Sequence, residues 1–162
     1  MPSEFQPLHE RFEALFRKAG RDRSAGKASV YGEAAQVADF LLRTPDSLRP
    51  LHGDLHHENI MQGSRGWLAI DPKGVLGDPA FDAANLFYNP LGKDALCCDP
   101  ERIRYMSELF ARALDQPRRR ILDHAFAYGC LSAAWHAEDG NRVEEERELS
   151  IATTIRAVSG QA

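Results

Sequence analysis

The stretch PLHGDLHHENIMQGSRGWLAIDPKG, residues 50–74, carries most of the information about the fold. It contains two short, mainly apolar pieces, 59–61 and 67–70, separated by the polar sequence QGSRG. Glycines at positions 63 and 66 are typical of a tight turn between two antiparallel strands. The stretch therefore predicts a β-hairpin, with Asp54 before its first strand and Asp71 directly after its second.

The sequence on both sides of this hairpin has the spacing of amphipathic helices. Apolar residues recur three and four positions apart in six segments: 4–19, 28–42, 79–90, 100–114, 117–136 and 142–158. Gly20 and Pro45 follow the first two segments, where they are expected to end the helices, and Asp78 is placed to cap the third. The predicted fold class is α+β, mostly α.

The composition narrows the classes of protein that this chain fits. It has 162 residues, of which 43% are hydrophobic and 27% charged, with a formal net charge of -4. This balance is typical of a globular domain and argues against a nucleic-acid or membrane partner. No apolar run could cross a bilayer, and the N-terminus lacks the pattern of a secretory signal. With three cysteines, two of them adjacent at 97 and 98, the chain is predicted to be cytoplasmic with reduced thiols.

The polar side chains around the hairpin are suited to metal-assisted chemistry. A hairpin brings the residue before its first strand near the residue after its second, so Asp54, Asn59 and Asp71 should meet at one end. Carboxylate and amide oxygens are the ligands that Mg²⁺ and Mn²⁺ prefer. A carboxylate that does not bind the metal can accept a proton from an attacking hydroxyl. Phosphoryl transfer requires these parts.

Two other interpretations stay open at the level of sequence. The same three residues are compatible with ordinary turn and cap positions, because Asp and Asn favour both. The histidines at 52, 56 and 57 are compatible with a zinc site, although no fourth ligand is evident.

Three ordered motifs resemble those of the aminoglycoside phosphotransferase family. His52-Gly53-Asp54 followed by Asn59 is similar to its HGDxxxxN catalytic loop, the counterpart of the HRDxxxxN loop of protein kinases. Ile70-Asp71 resembles its metal-binding segment, and GDPAFDAAN, residues 77–85, resembles the GDPxxDxA that follows. With AAWHAEDG at 133–140, the chain most resembles the branch of streptomycin 6-phosphotransferases and hydroxyurea-resistance kinases.

The resemblance implies the C-terminal lobe of a protein-kinase-like fold, with the small β-hairpin at the catalytic loop. The lobe would form a single domain over 1–162. N-terminal helices would occupy 1–45, the catalytic loop and metal segment 46–90, and C-terminal helices 100–158. The implied activity is transfer of a phosphoryl group from ATP to a hydroxyl of a streptomycin-like aminoglycoside, with Mg²⁺ as the cofactor.

The resemblance also implies a role for each matching residue. Asp54 would act as the catalytic base or orient the hydroxyl, and Asn59 and Asp71 would bind the metal. His52 and Asp82 would brace the loop. Lys73 would contact a phosphate or the hydroxyl. Glu138 and Asp139 would bind a cationic substrate. The acidic run at 144–146 is predicted to be a solvated helix face.

A nucleotide-binding lobe is not evident upstream of residue 51. Residues 1–50 carry neither a glycine-rich phosphate loop nor a lysine on a strand. We therefore expect a truncated reading frame with little or no kinase activity by itself. Its exposed apolar surface would favour self-association or binding of the missing lobe. The alternatives are a non-catalytic remnant that binds a cationic small molecule or partner protein, and a metal-dependent hydrolase that uses Asp54 and Asp71.

Overall fold

The computed structural model describes residues 5–161. Its N-terminal part comprises strand β1 (Gln6–Pro7) and helices α1 (Leu8–Arg11), α2 (Glu13–Ser24) and α3 (Val30–Arg43). The first helix was predicted to begin at residue 4, which lies outside the described range. The prediction is wrong for 6–7, which form a strand because they pair with a central sheet.

The helix predicted over 4–19 is divided at Phe12 into α1 and α2, and α2 does not end at Gly20 but continues to Ser24. Glycine within a helix costs about 0.5–1 kcal/mol relative to alanine, which is too little to stop a helix that is otherwise supported. Lys18 Nζ lies 2.6 Å from Asp22 Oδ1, one turn further along. This pair and the buried side chains of Leu15 and Ala19 hold the helix together on both sides of the glycine.

Four strands surround the central motif: β2 (Arg49–Leu51), β3 (Ile60–Gly63), β4 (Gly66–Ala69) and β5 (Val75–Gly77). The predicted hairpin is confirmed, since β3 and β4 pair antiparallel. A second sheet was not predicted. In it, β5 lies between β1, to which it runs parallel, and β2, to which it runs antiparallel. This sheet fixes both ends of the segment that contains the hairpin.

The C-terminal half is helical, with α4 (Ala80–Leu86), α5 (Asp94–Cys97), α6 (Pro100–Leu114), α7 (Arg118–Glu138) and α8 (Arg142–Ser159). The predictions for α6, α7 and α8 are confirmed to within two residues at each end. Helix α4 ends at Leu86, earlier than the predicted stop at Pro90. The short α5 was missed, because a single turn carries no helical periodicity. The mostly helical α+β class is therefore confirmed, while the kinase-like lobe and the proposed subdivision of the chain stay predictions.

Helix α7 forms the centre of the core. Most of its side chains are buried, and α8, α4 and α3 pack around it. The ring of Phe81 on α4 contacts those of Tyr128 on α7 and Phe12, with centroid distances of 5.6 and 5.8 Å. Helix α4 is thus held rigidly beneath the HGD loop. Within the described part of the chain, no helix is long and apolar enough to cross a membrane.

Candidate active site

The HGD loop is held by one carboxylate from α4. Asp82 accepts hydrogen bonds from the backbone amides of His52 and Gly53 through its two oxygens, each at 2.8 Å. Because the carboxylate of Asp82 binds both amides, the peptide groups of His52 and Gly53 cannot rotate independently. The position of the next residue, Asp54, is therefore set by the α4 helix and the core behind it.

Gly53 is required by the geometry of this loop. Its φ of +82° lies in the left-handed region, which side chains other than glycine rarely adopt. A Cβ at this position would lie 2.6 Å from Cγ2 of Val75, on the adjacent strand β5. The loop therefore passes so close to the central sheet that only glycine fits.

The carboxylate of Asp54 is partly exposed and has few direct partners. Asn85 Nδ2 approaches Asp54 Oδ1 at 3.4 Å, and His56 Nε2 lies 3.8 Å from Asp54 Oδ2. The backbone carbonyl of the same residue accepts a 2.9 Å hydrogen bond from Asn59 Nδ2. The loop is thus internally bonded through main-chain atoms, which leaves the carboxylate available to a bound molecule.

The hairpin brings Asn59 and the segment of Asp71 to the same end of its two strands. The amide of Ile70 donates to the carbonyl of Asn59 at 2.9 Å, and the amide of Lys73 donates to the carbonyl of His52 at 2.7 Å. Asp71 has a φ of +58°, a conformation that aspartate tolerates better than most residues. The chain turns here between β4 and β5.

The side chains at this end are compatible with a magnesium ion. Both contacts of the Asn59 side chain, to Asp54 and His56, use the amide nitrogen, so its oxygen is available as a ligand. The exposed carboxylate of Asp71 lies 3.1 Å from Lys73 Nζ. Residues 5–161 contain no group of three His, Cys, Asp or Glu side chains placed to bind a metal. Mg²⁺ nevertheless fits, because it commonly binds one or two protein oxygens and takes its other ligands from water and phosphate.

A cavity of about 540 Å³ opens beside Asp54. Its walls come from the HGD loop, the segment between α4 and α5, and helices α7 and α8. Five carboxylates line it, while arginine contributes only one side chain: Asp54, Glu58, Asp94, Glu144 and Glu148 against Arg147. A cavity with this excess of acidic groups is suited to a cationic ligand.

Glu138 and Asp139, the predicted substrate-binding pair, do not line this cavity. Glu138 instead forms an ion pair with Arg17, with Nη2 and Oε1 3.0 Å apart, and lies 3.6 Å from Arg21. The last turn of α7 faces helix α2, which carries those arginines. Asp139 is exposed at the end of the helix.

The acidic residues that do line the cavity include Glu144 and Glu148, which the sequence-based interpretation missed. The run 144–146 was predicted to be a solvated face, and Glu144 and Glu146 are indeed exposed. A signal was present in the sequence, because residues four apart lie on the same side of a helix. Glu144 and Glu148 have that spacing.

Arg11 is a third residue near the site that the sequence did not indicate. Its Nη2 donates to the carbonyl of Gly53 at 3.2 Å, and its guanidinium lies 5.4 Å from the centroid of the Trp135 ring. The side chain therefore connects α1 and α7 to the back of the HGD loop. Since 42 residues separate Arg11 from Gly53, no local pattern could have revealed this contact.

Comparison with known proteins identifies the family. A family model described as aminoglycoside/hydroxyurea antibiotic resistance kinase matches residues 1–140. The chain is 39% identical over 160 residues to a streptomycin 3''-kinase from Klebsiella pneumoniae, covering 96% of this chain and 58% of that protein. This chain belongs to the aminoglycoside/hydroxyurea antibiotic resistance kinase family.

Two further relatives extend the comparison. A hydroxyurea phosphotransferase from Kitasatospora aureofaciens is 29% identical over 144 residues, covering 88% of this chain and 40% of that protein. A streptomycin 6-kinase from Streptomyces griseus is 29% identical over 131 residues, covering 80% and 42%, respectively. The chain thus spans about half the length of the curated relatives that it matches. No solved structure matches it.

Proposed function

We propose that the chain provides the acceptor-binding half of a kinase that transfers the γ-phosphoryl group of ATP to a hydroxyl of an aminoglycoside. The observation that carries this proposal is the position of Asp54. Asp82 holds the loop that carries Asp54, and the carboxylate of Asp54 lines a cavity together with four further acidic side chains. Phosphoryl transfer to a cationic acceptor needs a carboxylate base beside a cavity that can bind the acceptor.

The proposed acceptor is a streptomycin-like molecule, because two of the relatives are named streptomycin kinases. Cationic groups of the acceptor would contact the carboxylates of α8, and one hydroxyl would lie at Asp54. The names of these two relatives give different positions, 3'' and 6, for the phosphorylated hydroxyl. Analysis of the phosphorylated product would distinguish the two.

Each residue at the hairpin has a role in this proposal. Asp54 orients the attacking hydroxyl and accepts its proton, while His52 and Asp82 brace the loop. Asn59 and Asp71 would hold Mg²⁺, which when bound with ATP neutralises charge on the phosphates. Lys73, released from Asp71, would contact a phosphate or the hydroxyl.

The hairpin also supports a proposed partner. Four of its apolar side chains are exposed, with Trp67 at 70%, and the others are Met61, Leu68 and Ile70. A hairpin of two strands is only marginally stable without packing on one of its faces. We propose that a nucleotide-binding lobe contacts this hairpin, and that a second copy of the chain competes for it. In the absence of that lobe the chain would bind ATP weakly and act slowly.

Replacing Asp54 should abolish any transfer that the chain performs. We expect Asp54→Asn to lower the rate by about 10²–10⁴-fold, because the carboxamide cannot accept the proton of the hydroxyl. The measurement is transfer of labelled γ-phosphate from ATP to streptomycin in the presence of Mg²⁺. Asp39→Asn is the matched control, since this exposed carboxylate on α3 only pairs with Arg43. Equal rates for wild type and Asp54→Asn would contradict the assigned role.

Binding of the acceptor should not require ATP. Calorimetric titration with streptomycin alone should show binding that Glu144→Gln weakens about tenfold, equivalent to roughly 1.4 kcal/mol. Glu146→Gln removes the same charge from the same helix but lies outside the cavity, so it should bind as wild type does. An equal loss in both variants would indicate a general effect of charge rather than a contact.

A non-catalytic binding protein is the second candidate. It would use the same acidic cavity, whose five carboxylates suit a cation whether or not a phosphoryl group is transferred. Streptomycin binding without phosphoryl transfer above that of the Asp54→Asn variant would support this candidate over the kinase.

A further inference from the structure

Glu148 is a buried carboxylate on the wall of the acidic cavity. Only 5% of the residue is exposed, and it lies on α8 one turn beyond Glu144. Acidic side chains are seldom buried to this degree unless they are paired. Glu148 is one of the α8 carboxylates proposed to contact the acceptor, and its burial distinguishes it from the exposed Glu144.

The counter-ion of Glu148 is shared. Arg147 Nη1 donates to Glu148 Oε1 at 2.6 Å, while its Nε donates to Asp94 Oδ1 at 2.6 Å and its Nη2 to the carbonyl of Tyr88 at 2.9 Å. One positive charge therefore serves two carboxylates and a carbonyl. The same contacts hold the segment between α4 and α5 against α8.

The other groups facing the cavity do not compensate the remaining negative charge. The titratable and charged side chains come from every element packed around it: Asp54, His56 and Glu58 from the loop region, Tyr88 and Asp94 from the α4–α5 segment, Tyr128 and His136 from α7, and Glu144 and Arg147 from α8. Arg147 is the only one with a permanent positive charge. A proton on Glu148 is the simplest way to reduce the repulsion.

The pKa of Glu148 agrees with this arrangement. Burial and the negative charge of Glu144 raise this pKa, while Arg147 and Ser132 lower it. The resulting pKa of Glu148 is about 7. A carboxyl group with this pKa is partly protonated at neutral pH.

We infer that Glu148 binds a cationic group of the acceptor and releases its proton when it does so. The exchange is balanced, because the neutral carboxylic acid becomes a carboxylate, the cation of the ligand takes the place of the proton, and the proton passes to solvent. This inference rests on the proposed function, since it takes the cavity to be the acceptor site. Binding should consequently tighten as the pH rises from 6 to 8, because protons compete with the ligand for the same carboxylate.

Proton release can be measured directly by calorimetry of streptomycin binding at pH 7 in buffers of different ionisation enthalpy. For wild type we expect release of a fraction of a proton more per ligand bound than for Glu148→Gln, which has no proton to release. Any proton exchanged by streptomycin itself is common to both proteins and cancels in the difference. Glu146→Gln should match wild type.

The outcomes separate this inference from the proposed function. Binding with equal proton release in wild type and Glu148→Gln overturns the inference and leaves the proposed acceptor site standing. No binding of streptomycin at any pH contradicts the proposed function itself. Because Glu148→Gln could disturb the Arg147 contacts, a second measurement uses the wild-type chain. The ¹³C signal of the Glu148 carboxyl should titrate with a midpoint near pH 7 in the free chain. The midpoint should lie at lower pH when streptomycin is bound, and an unchanged midpoint overturns the inference.

Discussion

Replacing Asp78 by alanine should lower the free energy of unfolding by about 3–5 kcal/mol, the usual effect of removing one partner of a buried ion pair. Asp78 is 2% exposed. Its Oδ2 accepts from Arg120 Nη2 at 2.8 Å and from Arg120 Nε at 3.1 Å, while its Oδ1 accepts from Gln116 Nε2 at 2.9 Å. Without the carboxylate, the guanidinium would stay largely buried with no counter-charge.

The same carboxylate also joins separate parts of the backbone. The amide of Asp46, before β2, donates to it at 2.9 Å, and the amide of Ala80, in the first turn of α4, donates at 3.0 Å. The carboxylate thus connects the entry to the central sheet with the helix that supports the HGD loop. Its loss leaves two amides unpaired in addition to the arginine.

Urea unfolding monitored by circular dichroism at pH 7 would measure the effect. Asp78→Asn retains the volume of the side chain and should also destabilise, because the charge of Arg120 is no longer compensated. Asp39→Asn is the control, since exposed pairs contribute less than about 1 kcal/mol. A loss below 1 kcal/mol in Asp78→Ala would show that the buried network is not required for stability.

The destabilisation should depend on pH. Burial by itself raises the pKa of Asp78, but His124, Gln116 and the two backbone amides outweigh it and lower the pKa below the usual value. A lowered pKa in the folded state means that the contribution to stability is complete above about pH 4 and is lost as the pH falls further. The difference between wild type and Asp78→Asn should therefore shrink below pH 4. A constant difference between pH 7 and pH 2.5 would contradict this reasoning.

Local patterns explain which parts of the fold were predictable. The hairpin was predicted because turn residues and both of its strands lie within a dozen residues. The long helices were predicted because their apolar spacing repeats over several turns. The sheet of β1, β5 and β2 has strands of only two or three residues, too short to show alternation. Its pairing joins segments about 25 to 70 residues apart, which sequence patterns do not report.

The same distinction applies to the candidate site. Asp54, Asn59, Asp71 and Asp82 fall within one continuous motif region, so their proximity could be expected. Arg11 and the carboxylates of α8 reach the site only through the packing of distant helices. Glu138 was predicted to bind a cation because of its acidic character, and in the structure it pairs with the arginines of α2.

Gly129→Ala should destabilise the chain by about 2–5 kcal/mol through overpacking and the loss of a buried hydrogen bond. A Cβ on Gly129 would overlap the ring and hydroxyl of Tyr88. Tyr88 is 2% exposed, and its hydroxyl donates to the carbonyl of Ala125 at 2.7 Å. The ring is therefore held against α7, which can accept it only where the helix lacks a side chain.

The effect should reach the acidic cavity as well. Tyr88 lies on its wall, and its carbonyl accepts from Arg147, so displacement of the ring moves the contact that holds the α4–α5 segment. We expect Gly129→Ala to weaken streptomycin binding at temperatures where the variant is still folded. Binding equal to wild type under those conditions would show that the cavity does not depend on this packing.

Gly20→Ala is the matched control for the same chemical change. Gly20 lies inside α2, and a Cβ there would meet no atom within 4 Å. Alanine should stabilise the helix by about 0.5–1 kcal/mol because it restricts the unfolded chain and favours the helical backbone. Thermal unfolding of both variants should therefore shift in opposite directions. A loss of stability in Gly20→Ala would mean that α2 does not continue as a helix through this position, and a gain in Gly129→Ala would mean that Tyr88 does not pack against α7.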